Sequence, residues 1–439
     1  MKINKIKSTI AKYNLSNSND LISFIEKQWG NLTENDLREI AEIANANRQK
    51  NAAYYTDEFI VEEIIEKLPK LEKKEITVLE PSVGTGNFVY PFIKRFSKLY
   101  KHINIILNDI DEASLKITKF FLSKKKIPDN VTISYTNYDF LGDLYFFNTV
   151  FDYVIGNPPF HRIGTKKAAT YGNTITNLAG QFYLKAYNIA SIIGMVMPKN
   201  FLSTSDFKEL RAILDNHPIN TIIDFGEKGF KGVLIETIAL ITGYHNNDMV
   251  NVISHIDDSD RVLPHKYITD SSFPYWLIYR NDSFDNIAHK MKFNIFSTSR
   301  DRQITNSMLS DSGDIRVVKS QNISNDGSRI LNIPGYDKYI NESQLKKLNV
   351  SKIYNDTNIY LVPNMTYNPR MLKKNKKFIV NGSVAMLKLK PGETINSKQI
   401  LFFSTDKYRD FYKIARNKGT RSLNIDKLSV FWFGKILRR

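Results

Sequence analysis

The chain has 439 residues, enough for about two domains, and its 42% hydrophobic and 12% aromatic content supports packed cores rather than wholesale disorder. It contains 0 cysteines, which excludes disulfides, thiolate zinc sites and every mechanism with a cysteine nucleophile. The net charge of +17 is lopsided: from Asp301 to Arg439 there are roughly 26 Lys/Arg against roughly 11 Asp/Glu, about +15, which leaves about +2 for everything before Asp301.

The opening, "MKINKIKSTIAKYNL", spaces Ile3, Ile6 and Ile10 as an amphipathic helix and lacks the continuous apolar core of a signal peptide. No apolar run approaches the roughly 20 residues of a membrane span, so the expected location is the cytoplasm. Residues 1 to about 50 read as helical, with Leu21, Phe24, Ile25, Leu37, Ile40 and Ile43 at spacings of three and four. From Glu75 the texture changes to short β-branched runs, "ITVLE", "INIILND", "VTISY", "VFDYVIG", "SIIGMVMP", "INTIIDFG" and "IETIALIT". Helix-like stretches separate them, such as Gly180–Ala190, where Phe182, Ala186 and Ile189 share a face. Such alternation predicts a doubly wound, mostly parallel Rossmann-like α/β sheet. The run Glu236–Thr242 follows its predecessor through "GEKGFKG", too short for a crossover helix, and is expected to pair antiparallel. After Tyr244, "HNNDM" reads as a linker, which places a domain boundary near 245–255. The reading is a helical segment 1–50, an α/β domain 51–245, and a basic mixed α/β domain 250–439.

Four of the strand-like runs end in polar groups. "VLEPSVGTGNFV" closes a strand at Glu80 and passes through Gly84 and Gly86 into a helix, the place where such sheets bring backbone close to a nucleotide-like ligand. No Gly-Lys-Ser/Thr follows, and the spacing is not G-x-G-x-x-G, so this is neither a phosphate loop nor a dinucleotide fingerprint. An acidic Glu80 at the strand end suits a cationic or amino-bearing ligand instead. "IILNDID" sets Asp109 where a carboxylate can accept from ribose hydroxyls, and "NYDFL" offers Asp139 to an adenine amino group with Phe140 against the ring. "FDYVIGNPPF" ends the fourth run in Asn157, Pro158, Pro159 and Phe160. Two consecutive prolines fix φ twice and remove two donors, which leaves a stiff, acceptor-only backbone beside an amide and a ring.

"VLEPSVGTGNF" followed by "VIGNPPF" resembles the S-adenosylmethionine-dependent N6-adenine DNA methyltransferases of restriction-modification systems, in the order of their gamma class. "NAAYYTDEF" is similar to the segment before the family's first strand, with Ala53 and Asp57 where Gly and Pro are usual; "GMVMPKNFL" and "DFGEKGFKGVLIETIALI" resemble its later strands. The resemblance covers about residues 50–245. It implies S-adenosyl-L-methionine as cofactor, held by Thr56, Glu80, Ser82, Gly84, Gly86, Asp109, Ile110, Asp139 and Phe140. It implies catalysis by Asn157, Pro158, Pro159 and Phe160. An adenine amino group is a poor nucleophile because its lone pair is delocalised into the ring. The Asn157 oxygen and the Pro158 carbonyl would each accept one N6 hydrogen and localise that pair, with Phe160 stacking on the base. The reacting base must leave the duplex, and Phe230 lies where the family places a second aromatic for it.

Lacking cysteine, the chain cannot carry out C5-cytosine methylation, which needs a thiolate. Methylation of N4 of cytosine, of adenine N6 in RNA, or of a protein glutamine amide remains as an alternative, as does a DNA-binding subunit with a relic cofactor fold. The partner expected is double-stranded DNA; the N-terminal helices show no paired acids and lysine of a nuclease, so modification alone is expected, and a separate restriction endonuclease alongside is what the resemblance implies. The C-terminal third would read the target. "NPRMLKKNKKFIVNGSVAML" concentrates Arg370, Lys373, Lys374, Lys376 and Lys377, and "IARNKGTRSLNIDKL" adds Arg416, Lys418 and Arg421, a basic surface fitted to phosphates.

Overall fold

In a computed structural model the β-branched runs become seven strands: β1 (Glu75–Glu80), β2 (His102–Asn108), β3 (Val131–Thr136), β4 (Phe151–Gly156), β5 (Ala190–Pro198), β6 (Ile219–Gly226) and β7 (Thr237–Gly243). Two further strands, β8 (Met249–Ser254) and β9 (Ser259–Pro264), complete a nine-stranded sheet in the order β3-β2-β1-β4-β5-β7-β6-β8-β9. The structure describes residues 3–45, 56–146, 149–229, 234–243, 248–366, 368–420 and 424–437. Strands β1 to β5 pair parallel, and β7 enters antiparallel between β5 and β6. Every residue of β4 and β7 is buried, as expected of central strands covered on both faces.

The chain divides into two units, Met1–Thr269 and Asp270–Arg439. That division differs from the expected boundary at 245–255. The cause is β8, which joins β6 in parallel over Thr221–Asp224, and β9, which returns as a hairpin. Both belong to the sheet rather than to the basic domain.

Of the N-terminal helices α1 (Ile3–Lys12), α2 (Ser18–Gln28) and α3 (Glu34–Ala44), the last two start at side-chain caps. The Asn17 side chain accepts from the N–H groups of Asn19 and Asp20, and Thr33 accepts from that of Asp36. Their apolar faces, including Leu21, Ile25, Leu37 and Ile40, pack with Ile117 and Phe121 of the helix Glu112–Ser123. The segment 1–45 is therefore part of the first unit's core.

In the second unit Phe296–Ser299, Val384–Leu389, Tyr360–Pro363 and Leu372–Lys373 form an antiparallel sheet. A three-stranded mixed sheet is made by Lys338–Ile340, Ile315–Val318 and Ile379–Val380. An aromatic core gathers Phe284 stacked on Phe411 at 4.6 Å and Trp432, whose indole N–H donates to the Tyr275 hydroxyl at 2.6 Å.

On β5, an added Cβ at Gly194 would lie 2.6 Å from Leu68 Cδ2, just beyond the helix Glu58–Lys67. Glycine here admits the close approach of helix to sheet. Gly194→Val should therefore cost about 1–3 kcal/mol by overpacking, seen as a lower urea midpoint; an unchanged midpoint would show that this contact can relax.

Candidate active site

Next to β1 the connections change direction: β2 and β3 lie on its one side, β4 and β5 on the other. At such a switch point the loops diverge and leave a crevice beyond the carboxyl ends of the strands. A cavity of about 500 Å³ lies there, walled by Ser82, Asp109, Ile110, Asp139, Phe140 and Asn157 among others. That is room for a small-molecule ligand. Four strand ends thus contribute to one space.

The loop after β1 takes its shape from two left-handed glycines, Gly84 at φ +56° and Gly86 at φ +78°. Against Gly86 an added Cβ would meet Thr118 Cγ2 at 2.8 Å. The backbone donors of this loop are turned inward. Val83 N–H reaches the Asn108 carbonyl at 2.8 Å and Gly84 N–H reaches Asp109 Oδ2 at 2.9 Å. Thr85 N–H reaches Glu42 Oε1 at 3.2 Å, and Gly86 N–H the Val83 carbonyl at 2.8 Å. A phosphate-binding loop presents such donors to its ligand. This one does not, and Glu80 beside it, 2% exposed, adds an acid.

Asp109 is 8% exposed; its second oxygen accepts from the Asp111 N–H at 2.9 Å. Asn108, fully buried, staples three strand ends: its amide donates to the Pro81 and Tyr138 carbonyls at 3.1 and 3.0 Å and accepts from Thr136 Oγ1 at 2.9 Å. Asp139 is exposed, with Oδ1 taking the Leu141 N–H at 3.0 Å. The Phe140 ring is buried 5.0 Å from that of Phe182, and Lys185 Nζ bonds the Phe140 carbonyl while lying 5.0 Å over the ring. Ile110 stands 64% exposed at the rim.

Asn157, 8% exposed, donates through Nδ2 to Thr56 Oγ1 at 2.9 Å, and Ser82 Oγ donates to its carbonyl at 3.4 Å. Pro158 is buried and Pro159 faces the cavity. Phe160 is buried, its carbonyl held by Asn177 Nδ2 at 2.9 Å. Phe230 and Arg421 lie outside the described residues.

The basic residues expected to meet phosphates separate by burial. Arg370 is 8% exposed and donates to the carbonyls of Ile323, Asn368 and Ser320 at 3.1, 3.1 and 3.2 Å. Lys374 is 1% exposed and donates to those of Tyr354, Asp356 and Lys376 at 2.8, 3.1 and 2.9 Å. Arg416 is buried against the Tyr412 hydroxyl at 3.2 Å and the Asn424 carbonyl at 3.3 Å. These three cross-link the second unit's own loops, which is a correction to the expected surface role: cations saturated by buried carbonyls do not face solvent phosphates. Lys373, Lys376 and Lys377 are exposed, and Lys418 is half-buried, 4.7 Å over the Tyr279 ring.

Sequence reading missed the cavity's other wall, which includes His161, Tyr171, Leu178 and Phe182, and the buried polar residues of α3 that reach the glycine loop. The second group had a signal. Arg38, Glu42 and Asn45 recur at helical spacing beside the apolar Leu37, Ile40, Ala41 and Ala44.

A family model described as Eco57I restriction-modification methylase matches residues 1–230. The Type II methyltransferase M.VspI of Vibrio sp. (strain 343) is 28% identical over 208 residues, 45% of this chain and 49% of that protein, so the chain spans about half the length of this curated relative. Among solved structures, the Type IIL restriction-modification enzyme MmeI in complex with DNA aligns with 98% of this chain and 67% of its own, at 15% identity and a TM-score of 0.50, a likeness of fold.

Burial pushes the Lys185 ammonium down to about 8, against the pull of Asp139 and Asp143. The unfolded chain holds this proton more tightly, so the folded state carries its full burial penalty below pH 8 and gains stability as pH rises from there to the ordinary lysine range. Lys185→Met should flatten that part of the stability–pH curve in urea titrations; an equal slope in both proteins would refute it.

Proposed function

The chain belongs to the Eco57I restriction-modification methylase family, and on that premise we propose that it transfers a methyl group from S-adenosylmethionine to adenine N6 in double-stranded DNA. The observation that carries this reading is the convergence of Ser82 at the start of the glycine loop, Asp109, Asp139, Phe140, Asn157 and Pro159 on one cavity. The donor set fits this cofactor. The loop keeps its N–H groups inside, Asp109 on the cavity wall and Glu80, buried in the adjoining cleft beside Ser82 and Asn157, supply negative charge for a cationic sulfonium ligand with ribose hydroxyls, and Phe140 lines the same cavity. Bound there, the cofactor supplies an electrophilic methyl group on sulfur.

Asn157 Oδ1 and the Pro158 carbonyl act as two acceptors for the hydrogens on N6. Holding both out of conjugation raises the lone-pair density on nitrogen. Thr56 Oγ1 accepts from Asn157 Nδ2 at 2.9 Å, which holds the side chain in place and leaves its oxygen for this role. The prolines keep the second acceptor in place before the base arrives, so little freedom is lost in the reactive arrangement. Phe160 provides a ring for stacking. Zero cysteines argue against cytosine C5 as the target atom. DNA as substrate is supported by the exposed Lys373, Lys376 and Lys377 in the basic unit and by the fold shared with an enzyme solved on DNA.

Tritiated-methyl transfer to DNA lacking N6-methyladenine, followed by mapping of the products, tests the reading; label on cytosine, or none on DNA, rejects it. Asn157→Ala should lower transfer by at least about 10²–10³-fold while cofactor binding survives. For the interface, replacing Lys373, Lys376 and Lys377 by Ala should make log affinity fall less steeply with log salt, the slope shrinking by about 0.9 for every phosphate these lysines neutralise. An unchanged slope would remove them from the DNA surface.

A further inference from the structure

Arg38, Glu42 and Asn45 follow one another at intervals of four and three along and just past α3, and so share one face. None is more than 8% exposed. Glu42 Oε1 accepts from both the N–H and the Oγ of Thr85, at 3.2 and 2.9 Å. Arg38 donates to the Thr85 carbonyl and, at 3.1 Å, to Asn87 Oδ1. Its guanidinium is braced by Glu34 at 2.9 Å and lies 4.3 Å over the Phe121 ring. Asn45 Nδ2 donates at 2.6 Å to Asp111 Oδ2, and the Asp111 N–H in turn holds Asp109. One helix face therefore grips both backbone groups of Thr85, midway between the two left-handed glycines, and the acidic turn after β2.

Packing alone does not call for these residues. Leu37, Ile40, Ala41 and Ala44 already join α3 to the core. Burying a guanidinium, a carboxylate and an amide costs several kcal/mol unless each is matched; the matches fall on the turn after β2, whose Asp109 and Asp111 wall the proposed cofactor cavity, and on Thr85 and Asn87, a few residues along the loop from its lining residue Ser82. What these contacts supply is conformational specificity. The left-handed loop would otherwise be free to rearrange, because glycine places little restraint on its own φ. Glu42 also borders a small cleft shared with Thr56, Glu80 and Asn157.

We propose that α3 is a clamp that holds the glycine loop in its ligand-ready shape, and that Glu42 and Arg38 are positioning residues for cofactor binding. The inference rests on the functional reading above. Isothermal titration of the full chain with S-adenosylmethionine tests it apart from turnover. Glu42→Ala should weaken binding by about 10–100-fold, the size of loss met when the groups that orient a metal's ligands are removed. The KM for the cofactor should rise in parallel while kcat and the affinity for DNA hold. Glu42→Gln keeps an oxygen able to accept both Thr85 bonds and should bind nearly as the wild type. Thr85→Val, a gentler change that removes only the hydroxyl donor, should weaken binding less, and Glu42→Ala should cost less on that background than on the wild type. The clamp is overturned if wild type binds and Glu42→Ala binds equally, if Glu42→Gln loses as much as Glu42→Ala, or if the Thr85 and Glu42 effects simply add. A wild type that binds no S-adenosylmethionine overturns the functional reading and the clamp with it.

Discussion

Parallel strands need crossover connections, and where two neighbouring strands send theirs to opposite sides, the sheet cannot cover its own carboxyl edge. In this chain the gap falls between β1 and β4. The rest of the proposed site follows from that constraint. The glycine loop, the turn at Asp109, the Asp139–Phe140 corner and the Asn-Pro-Pro-Phe stretch are all carboxyl-end continuations of strands that the sheet holds in register. Asn108 reinforces the arrangement by tying the ends of β1, β2 and β3 through one buried amide.

Hydrogen-bond accounting then separates this crevice from nucleotide sites that look alike in outline. Glycine loops serve ligands of opposite charge according to where their N–H groups point. Here Asn108, Asp109, Glu42 and Val83 take the donors from Val83 to Gly86. A loop closed in this way presents shape and acidity rather than donors. It also has no stiffness of its own, which is why contacts from outside the loop matter to it. Those contacts come from Thr118, which donates to the Gly84 carbonyl at 2.7 Å, and from α3.

The second unit illustrates how burial redistributes a charge count. Of the basic residues singled out there, three spend their donors on internal carbonyls, in a unit where β-structure is short and loops are long. A buried ammonium or guanidinium that meets several carbonyls at once links loops that have no ladder between them. The exposed lysines beside them, Lys373, Lys376 and Lys377, keep their charge at the surface. Net charge therefore describes the unit's field, while the identity of the contacting residues depends on which side chains the fold turns outward.

Local pattern determined a good deal. Seven β-branched runs became seven strands, and the antiparallel direction of β7 was legible because "GEKGFKG" leaves no room for a crossover helix. The polar strand ends were legible too, since each motif sits within a few residues of the strand that positions it. Contacts between distant residues were not. Thr85 meets Glu42 and Arg38, Asn157 meets Thr56, and Phe140 meets Phe182, and no periodicity within one segment encodes a partner in another. Nor could composition tell Lys373 from Lys374: successive side chains of an extended stretch point to opposite sides, so one lysine is in water and the next is in the core. Sequence supplied the strands and the chemistry at their ends; tertiary structure decided which groups share a cavity, because only the folded chain brings remote donors and acceptors within 3 Å of each other.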